Sequence, residues 1–320
     1  MSLLKQPYEI TADNLKLKIL LYGQPGIGKS TTALSMPNPV LIDADNGIHR
    51  IAPAHRVPVL QVTSYQEVLD VLVSNELASF ETIVIDTAGK LLDYMSAWII
   101  KNDPKMGRRD GALTQQGYGA RKMQFINLLR TVSTMGKHLV FVAHEKEEKS
   151  GDDKVIRPEI GGSSGGDLIK ELDLVGYMEA VARNRTISFS PCDKYYAKNS
   201  ARIDDVIQIP SLDGGTPNDF LSGIVRRCED AARTESARVK EYNALISQIE
   251  HIVDQISDDA TASAAVRQIG KLEHLWDSKH RANATIMAKA TSVGLEYSKQ
   301  KKGFVPINDA AEPESQEEVA

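Results

Sequence analysis

A glycine-rich segment constrains the fold of this chain more than any other feature of its sequence. Gly23-Gln24-Pro25-Gly26-Ile27-Gly28-Lys29-Ser30 matches the phosphate-binding pattern G-x-x-x-x-G-K-[ST] at every fixed position. The apolar run that ends at Tyr22 predicts a buried strand before the segment, and residues 30–36 predict a short helix after it. A strand, a glycine loop and a helix in this order predict a nucleotide-binding α/β fold, because the loop lets backbone N–H groups surround phosphates.

The same segment predicts that the ligands are ATP and Mg²⁺. Lys29 supplies a positive charge to the β- and γ-phosphates, and the Ser30 hydroxyl is placed to bind Mg²⁺. Asp86 ends the apolar run at residues 83–85, which is the position expected for a second carboxylate that organises the metal. The residues predicted to contact the nucleotide are consecutive: Gly23, Gln24, Pro25, Gly26, Ile27, Gly28, Lys29, Ser30 and Thr31.

The pattern leaves more than one candidate for the residue that activates the attacking water. Thr87 follows Asp86 where a hydrolase of the AAA+ type would carry a glutamate, so the sequence disfavours that class. Asp43 and Asp45, after the apolar run at 40–42, are the alternatives, and either carboxylate can orient a water. Asp86-Thr87-Ala88-Gly89 also resembles the D-x-x-G switch of GTPases, but the sequence has no [NT]-K-x-D segment for guanine. ATP is therefore favoured over GTP.

Strand patterns alternate with helical ones over the first two-thirds of the chain, which predicts a mostly parallel sheet with helices on both faces. The domains are predicted to be a nucleotide-binding core at 1–215, a helical region at 216–305 and an acidic disordered tail at 306–320. The further strands are predicted at 40–42, 59–62, 82–85, 138–143, 172–178 and 185–190. Helices are predicted at 65–77, 123–135, 242–256, 266–276 and 286–293.

Composition limits the partners and the compartment. With 42% hydrophobic and 25% charged residues the chain has the composition of an ordinary globular protein. We find neither an apolar run long enough to cross a bilayer nor a signal segment, so a cytoplasmic protein without membrane contact is expected. The net charge of −5 excludes an overall basic surface, and nucleic-acid binding would need a local basic patch. Two distant cysteines favour neither a disulfide framework nor a zinc site.

Several segments resemble the RecA-like recombinase ATPase core. They are Val40-Leu41-Ile42-Asp43-Ala44-Asp45, Ile83-Val84-Ile85-Asp86 and Leu139-Val140-Phe141-Val142-Ala143-His144. Gly161-Gly162-Ser163, Glu171-Leu172-Asp173-Leu174-Val175-Gly176-Tyr177 and Ser188-Phe189-Ser190-Pro191 are similar to compact phage RecA-like proteins of single-strand annealing and recombination. The resemblance covers about residues 15–210 and implies a RecA-like P-loop NTPase core.

The resemblance also implies roles for individual residues. Asp45 takes the place of the family's catalytic glutamate, with a shorter side chain. His144 takes the place of the glutamine that senses the γ-phosphate and relays its presence to a DNA-binding loop. Lys194 and Lys198 resemble basic residues that one subunit offers to the ATP of its neighbour, which implies a homo-oligomer in the form of a ring or filament.

Two irregular segments, 101–109 and 145–166, correspond in the resemblance to DNA-binding loops. The first is basic and can neutralise phosphates in a salt-sensitive, sequence-blind way. The second mixes charges and has no aromatic side chain for base stacking. The residues predicted to bind DNA are Lys101, Lys105, Arg108, Arg109, Arg121 and Lys122.

These expectations combine into one predicted function and one alternative. The predicted function is that of a Mg²⁺-dependent, DNA-stimulated ATPase that binds single-stranded DNA and promotes annealing or strand exchange in phage recombination. A recombination or single-strand-binding protein is an expected partner. The alternative is a nucleotide-gated ATPase that binds a protein partner through its helical region, and a helicase, packaging motor or small-molecule kinase is disfavoured.

Overall fold

The structure, a computed structural model, describes residues 15–150, 153–161, 165–182, 184–204, 206–212 and 216–307. The described chain divides at Asp230 into two units, and each has its own buried apolar residues. The turn predicted to separate the domains includes residues 213–215, and most of the predicted acidic tail follows Ile307. Both of these parts lie outside the described residues.

The first unit contains most of the predicted strands. Its strands are β1 (Lys18–Gly23), β2 (Pro39–Asp43), β3 (Val59–Gln61), β4 (Thr82–Asp86), β5 (His138–Ser150), β6 (Asp153–Pro158), β7 (Leu174–Val181), β8 (Asn184–Ser188), β9 (Lys198–Asn199) and β10 (Val206–Ile209). Its helices are α1 (Lys29–Ala33), α2 (Tyr65–Val73), α3 (Ala88–Asn102), α4 (Gln115–Thr134) and α5 (Gly165–Lys170). Helix α6 (Phe220–Asp254) begins in this unit.

The strands form one mixed sheet in the order β10-β8-β7-β1-β5-β4-β2-β3. All pairs from β7 to β3 are parallel, whereas β8 and β10 add an antiparallel edge. Strand β5 lies between β1 and β4, so the phosphate loop, His144 of β5 and Asp86 share the carboxyl edge of the parallel strands. Ligands of open α/β sheets bind at this edge.

Alternating side chains of the central strands cover both faces of the sheet. On β1, Leu20 and Tyr22 belong to one core cluster together with apolar residues of α2, α3 and α4. Ile19 and Leu21 belong to a second cluster, with Ala33 of α1 and the first turns of α6. Burial on both faces explains why these strands are apolar throughout, as parallel strands under helices are. The predicted α/β fold class is confirmed.

The structure corrects the prediction of an irregular second segment at 145–166. Strand β5 continues to Ser150 and pairs in antiparallel register with β6, so most of the segment is a β-hairpin. Its mixed charges form ion pairs on the hairpin, including Lys146 with Glu148 at 2.5 Å and Arg157 with Glu148 at 2.8 Å. A strand with polar residues on both sides lacks the apolar alternation by which strands are recognised.

The second unit contains the rest of α6, helices α7 (Asp259–Ile269) and α8 (Ser278–Ser292), and the hairpin of β11 (Leu295–Ser298) and β12 (Gly303–Pro306). Its core includes Tyr242, Ile249, Ile286 and Phe304. The helical prediction for this region holds, but the hairpin was not predicted. No helix of the described chain is both long and apolar enough to span a membrane.

Candidate nucleotide site

The phosphate loop connects β1 to α1 and depends on its glycines. Backbone at Gly23 approaches β7 so closely that a Cβ there would collide with the carbonyl oxygen of Met178. Gly28 has a φ of 98°, in the left-handed region that favours glycine. Gln24, Pro25 and Gly26 are exposed at the tip of the loop. The sequence therefore forms the loop where it was predicted, at the carboxyl end of a buried strand.

Lys29 lies inside the loop rather than on the surface. Its side chain is buried, and Nζ donates hydrogen bonds to the carbonyl oxygens of Gly23 at 2.9 Å and Gln24 at 2.7 Å. Burial lowers the pKa of Lys29, and the nearby carboxylates of Asp86 and Glu145 oppose that shift. The ammonium is thus held at the loop by two neutral acceptors, beside the position where an incoming phosphate would supply an anionic one.

Asp86, the last residue of β4, lies beside Ser30 of the phosphate loop. The Ser30 hydroxyl hydrogen-bonds the Asp86 carboxylate, while burial and the nearby carboxylates of Asp43 and Asp45 raise the pKa of Asp86. A divalent cation would offset the repulsion among these carboxylates. Mg²⁺ takes few protein ligands and completes its shell with phosphate and water oxygens, so one carboxylate and one hydroxyl beside the loop fit that ion.

The structure distinguishes the two carboxylates that the sequence left as alternatives. Asp43 is buried and accepts the backbone N–H groups of Gly47 at 2.9 Å and Ile48 at 3.0 Å, so it holds the turn after β2. Asp45 instead lines the same cavity as Lys29 and forms an ion pair with Arg50 at 3.0 Å. The side chain of Asp45 is 37% exposed, and it is the carboxylate that a water in the cavity can reach.

His144 lies on β5, next to the start of the loop. It is the register partner of Gly23 across the β1–β5 pair, and its side chain lines the cavity. The Nδ1 atom of His144 is buried and has no hydrogen-bond partner among the described residues. An imidazole nitrogen in this state can take up a hydrogen bond from a ligand or its water.

These residues surround one cavity of about 520 Å³, a size typical of small-molecule sites. Its walls include loop residues together with the side chains of Asp45, Asp86 and His144. A second cavity of about 380 Å³ shares Asp45, Thr87 and His144 with the first and is also lined by Lys146 and Glu159 of the β5–β6 region. The site thus continues from the phosphate loop toward the base of the hairpin.

The predicted DNA-binding residues do not form one surface. Lys101 lies in the last turn of α3, and Lys105, Arg108 and Arg109 follow the helix, all exposed. With a rise of about 1.5 Å per residue, α3 places Lys101 roughly 20 Å along the helix from its first turn, which follows Asp86. Lys122 is half-buried on α4.

Arg121 corrects part of the DNA-binding prediction. It is only 6% exposed and donates hydrogen bonds to Ser96 Oγ at 3.2 Å and to the Gly161 carbonyl at 2.8 Å. Burial lowers the pKa of its guanidinium, which also lies over the ring of Tyr118. Arg121 therefore joins α4 to α3 and to the segment after β6, and does not present its charge to DNA.

The two lysines predicted to act on a neighbouring subunit differ. Lys194 is exposed. Lys198 donates hydrogen bonds to the carbonyl oxygens of Lys170, at 2.7 Å, and Leu172 in its own chain. Basic side chains often bind free carbonyls at a helix end, and Lys198 does so at the end of α5. These contacts within its own chain do not favour the trans-acting role predicted for Lys198.

Two arginines line the cavity that the sequence analysis did not identify. Arg50 forms an ion pair with Asp45. The spacing of only five residues between the two could have indicated this pair from the sequence. Arg185 comes from β8, on the antiparallel edge of the sheet. It reaches the loop only through the strand order, so no local sequence pattern points to it.

Two comparisons place the chain among known proteins. A family model described as an AAA domain matches residues 15–201, which is more than half of the chain. The SPbeta prophage-derived uncharacterized protein YorG of Bacillus subtilis (strain 168) is 23% identical over 280 residues, or 78% of this chain and 83% of that protein.

The family match corrects the argument that Thr87 disfavours an AAA-type protein. Thr87 begins α3, where its hydroxyl oxygen accepts the backbone N–H of Lys90 at 3.3 Å. Asp45, after another strand, brings a further carboxylate to the cavity that Asp86 also lines, so the residue that follows Asp86 can serve as a helix cap. The chain therefore belongs to the AAA domain family of P-loop ATPases.

Proposed function

We propose that this protein binds and hydrolyses Mg·ATP as a RecA-like recombination protein of a phage, and that it binds single-stranded DNA for annealing or strand exchange. The observation that carries the ATPase part is the convergence of Lys29, Asp45 and Asp86 on one cavity. The prophage source of the similar Bacillus subtilis protein supports the phage context. The exposed basic segment at 101–109 supports the DNA part.

The chain's own residues account for the hydrolytic step. Lys29 and the loop backbone bind the phosphates, while Ser30 and Asp86 would hold Mg²⁺, which supplies charge neutralisation on the β- and γ-phosphates. Asp45 orients a water and accepts its proton as the water oxygen bonds to the γ-phosphorus. The bond between that phosphorus and the β–γ bridging oxygen breaks, giving ADP and inorganic phosphate. His144 donates or accepts a hydrogen bond at the γ-phosphate end.

The DNA contact is proposed for four exposed residues in the last turn of α3 and after it: Lys101, Lys105, Arg108 and Arg109. Their charges neutralise backbone phosphates without reading bases. Because α3 begins at Ala88, two residues after Asp86, a helix joins this segment to the nucleotide site. Nucleotide-dependent DNA binding would use that connection. Lys194, which is exposed, is the remaining residue proposed to act across a homo-oligomer interface.

The test is ATP hydrolysis measured with and without single-stranded DNA over a salt series, with Lys29→Ala as the inactive blank. The DNA variant changes Lys105, Arg108 and Arg109 together to alanine. We expect it to bind ATP normally but to lose DNA stimulation. For single-stranded DNA each lost phosphate contact reduces the slope of log affinity against log salt by about 0.7, so a reduction of about 2 is expected.

The matched control changes the exposed residues Lys299, Lys301 and Lys302 to alanine. These substitutions remove the same amount of positive charge from another part of the chain. It should leave DNA stimulation and the salt slope unchanged. Hydrolysis that does not respond to DNA, with no nucleotide-dependent DNA binding, would contradict the recombination function. The ATPase would then be assigned to the alternative, a nucleotide-gated contact with a protein partner.

A further inference from the structure

Arg185 lies against the phosphate loop in the same chain. Strand β8 holds it through antiparallel pairing with Ala180 of β7 and Ile209 of β10. Its Nη1 atom is 2.7 Å, and its Cζ atom 3.9 Å, from the point where a Cβ would stand on Gly28. The guanidinium therefore occupies the space that the absent side chain of Gly28 leaves open, and it lines the cavity with Lys29.

The charge of Arg185 has no carboxylate partner in the part of the chain that the structure describes. The one side-chain hydrogen bond of Arg185 there is a long contact of 3.5 Å from Nη2 to the carbonyl oxygen of Pro210. The residue is half-buried and shares the cavity with Lys29, a second cation. A partly desolvated guanidinium without an anionic partner is unfavourable, and the loop beside this one has the phosphate-binding pattern. This arrangement points to a polyanionic ligand.

We propose that Arg185 binds the α- and β-phosphates of the nucleotide and is a nucleotide-positioning residue of this site. The inference rests on the proposed function, which puts ATP in the cavity. The backbone of a phosphate loop surrounds the α- and β-phosphates, and Arg185 stands beside that backbone at Gly28. The planar guanidinium can donate two parallel hydrogen bonds to phosphate oxygens, which a lysine cannot do.

This placement assigns different phosphates to different residues. Asp45 and His144 serve the γ-phosphate end, so they should distinguish ATP from ADP. Arg185 contacts phosphates that both nucleotides carry, and so it should strengthen the binding of each equally. The ratio of the ADP and ATP dissociation constants therefore separates the two roles.

The experiment measures the dissociation constants of ADP, ATP and inorganic pyrophosphate, with Mg²⁺, for the full chain and for Arg185→Gln. Glutamine removes the charge but keeps a donor for Pro210. We expect all three ligands to bind about 10- to 100-fold more weakly, as for a lost charge-assisted hydrogen bond, with the ADP-to-ATP ratio unchanged within about twofold. Arg185→Lys should lie between wild type and Arg185→Gln. Arg202→Gln, at an exposed arginine away from the cavity, is the control and should bind as wild type.

Thermal unfolding without nucleotide checks that each variant is folded. If Arg185→Gln is unfolded, the binding measurements on Arg185→Lys test the inference instead. The inference is overturned if folded Arg185→Gln binds ADP within about twofold of wild type, or loses ATP but keeps ADP. It is also overturned if pyrophosphate binding is unchanged while ADP binding weakens, because the contact would then be to the nucleoside. A wild-type chain that binds no nucleotide would instead contradict the proposed function itself.

Discussion

At the scale of single residues, neighbouring carboxylates after β2 have different tasks. Asp43 is 1% exposed and accepts two backbone N–H groups, whereas Asp45 faces the cavity and pairs with Arg50. The side chains of Asp45 and Arg50 are both exposed, so their ion pair adds at most about 1 kcal/mol of stability. Asp45 can therefore exchange Arg50 for another partner.

We predict that Asp45→Asn lowers the turnover of ATP at least about 100-fold, the usual contribution of a general base, with ATP affinity changed only a few-fold. The amide keeps the shape of the carboxylate but cannot take a proton from water. Asp43→Asn is the matched control, since it loses an acceptor for two backbone donors and should lower stability by about 1–3 kcal/mol. Turnover rates and urea unfolding measure the two effects. An Asp45→Asn variant that retains half of the wild-type turnover would rule out the assignment.

At the scale of elements, β5 carries a pH-dependent contact at its first residue. His138 is 1% exposed, and its Nδ1 accepts the backbone N–H of Leu17 at 3.1 Å. Burial, with a smaller contribution from the charge of Lys16, lowers the pKa of His138 from 6.5 to about 4. Between these values the unfolded chain binds the proton and the folded chain does not, so stability rises with pH from about 4 to 6.5 and is constant above.

We predict that His138 alone makes the free energy of unfolding roughly 2 kcal/mol lower at pH 4.5 than at pH 7. His138→Asn should remove this part of the pH dependence, because the Asn carbonyl oxygen can accept the same N–H without titrating. Urea unfolding of both proteins at several pH values measures it. If the two stability curves ran parallel between pH 4 and 7, the contact would not be the source.

The same element shows how far the sequence predicts this fold. After His138, residues 139–143 of β5 are apolar and buried, and their pattern predicts the strand, whereas the polar half that pairs with β6 has no pattern to reveal it. The phosphate loop and Asp86 were predictable because each directly follows or ends an apolar strand pattern. The carboxyl ends of parallel strands lie at the same edge of a sheet. Arg185 and the burial of Arg121 were not predictable, since both follow from contacts between segments distant in the chain.

At the scale of the whole molecule, α6 belongs to both units. Its first turns contribute Leu221, Ile224, Val225 and Cys228 to a core cluster of the sheet, at helical spacing. Its later residues, from Tyr242, contribute to the core of the second unit. The predicted helix at 242–256 was therefore too short, because the spacing at 221–228 already signals a buried helical face.

This division predicts where the chain can be shortened. A protein ending after Asp230 retains the α6 residues that cover the sheet, and we expect it to unfold cooperatively and to bind ATP as the full chain does. A protein ending at Asp219 lacks them and exposes the apolar face beneath. Each lost side chain costs about 2 kcal/mol, and four of them approach the whole stability of a domain. We therefore expect the shorter protein to be unfolded.

Calorimetry and nucleotide titration of both fragments measure this difference. Equal stability of the two would show that the first turns of α6 do not complete the core. DNA stimulation of the longer fragment then decides which unit meets the nucleic acid. The proposed contact at Lys101, Lys105, Arg108 and Arg109 lies within the retained unit, so stimulation should survive. Its loss, with ATP hydrolysis intact, would move the DNA or partner contact to the unit that begins at Ala231.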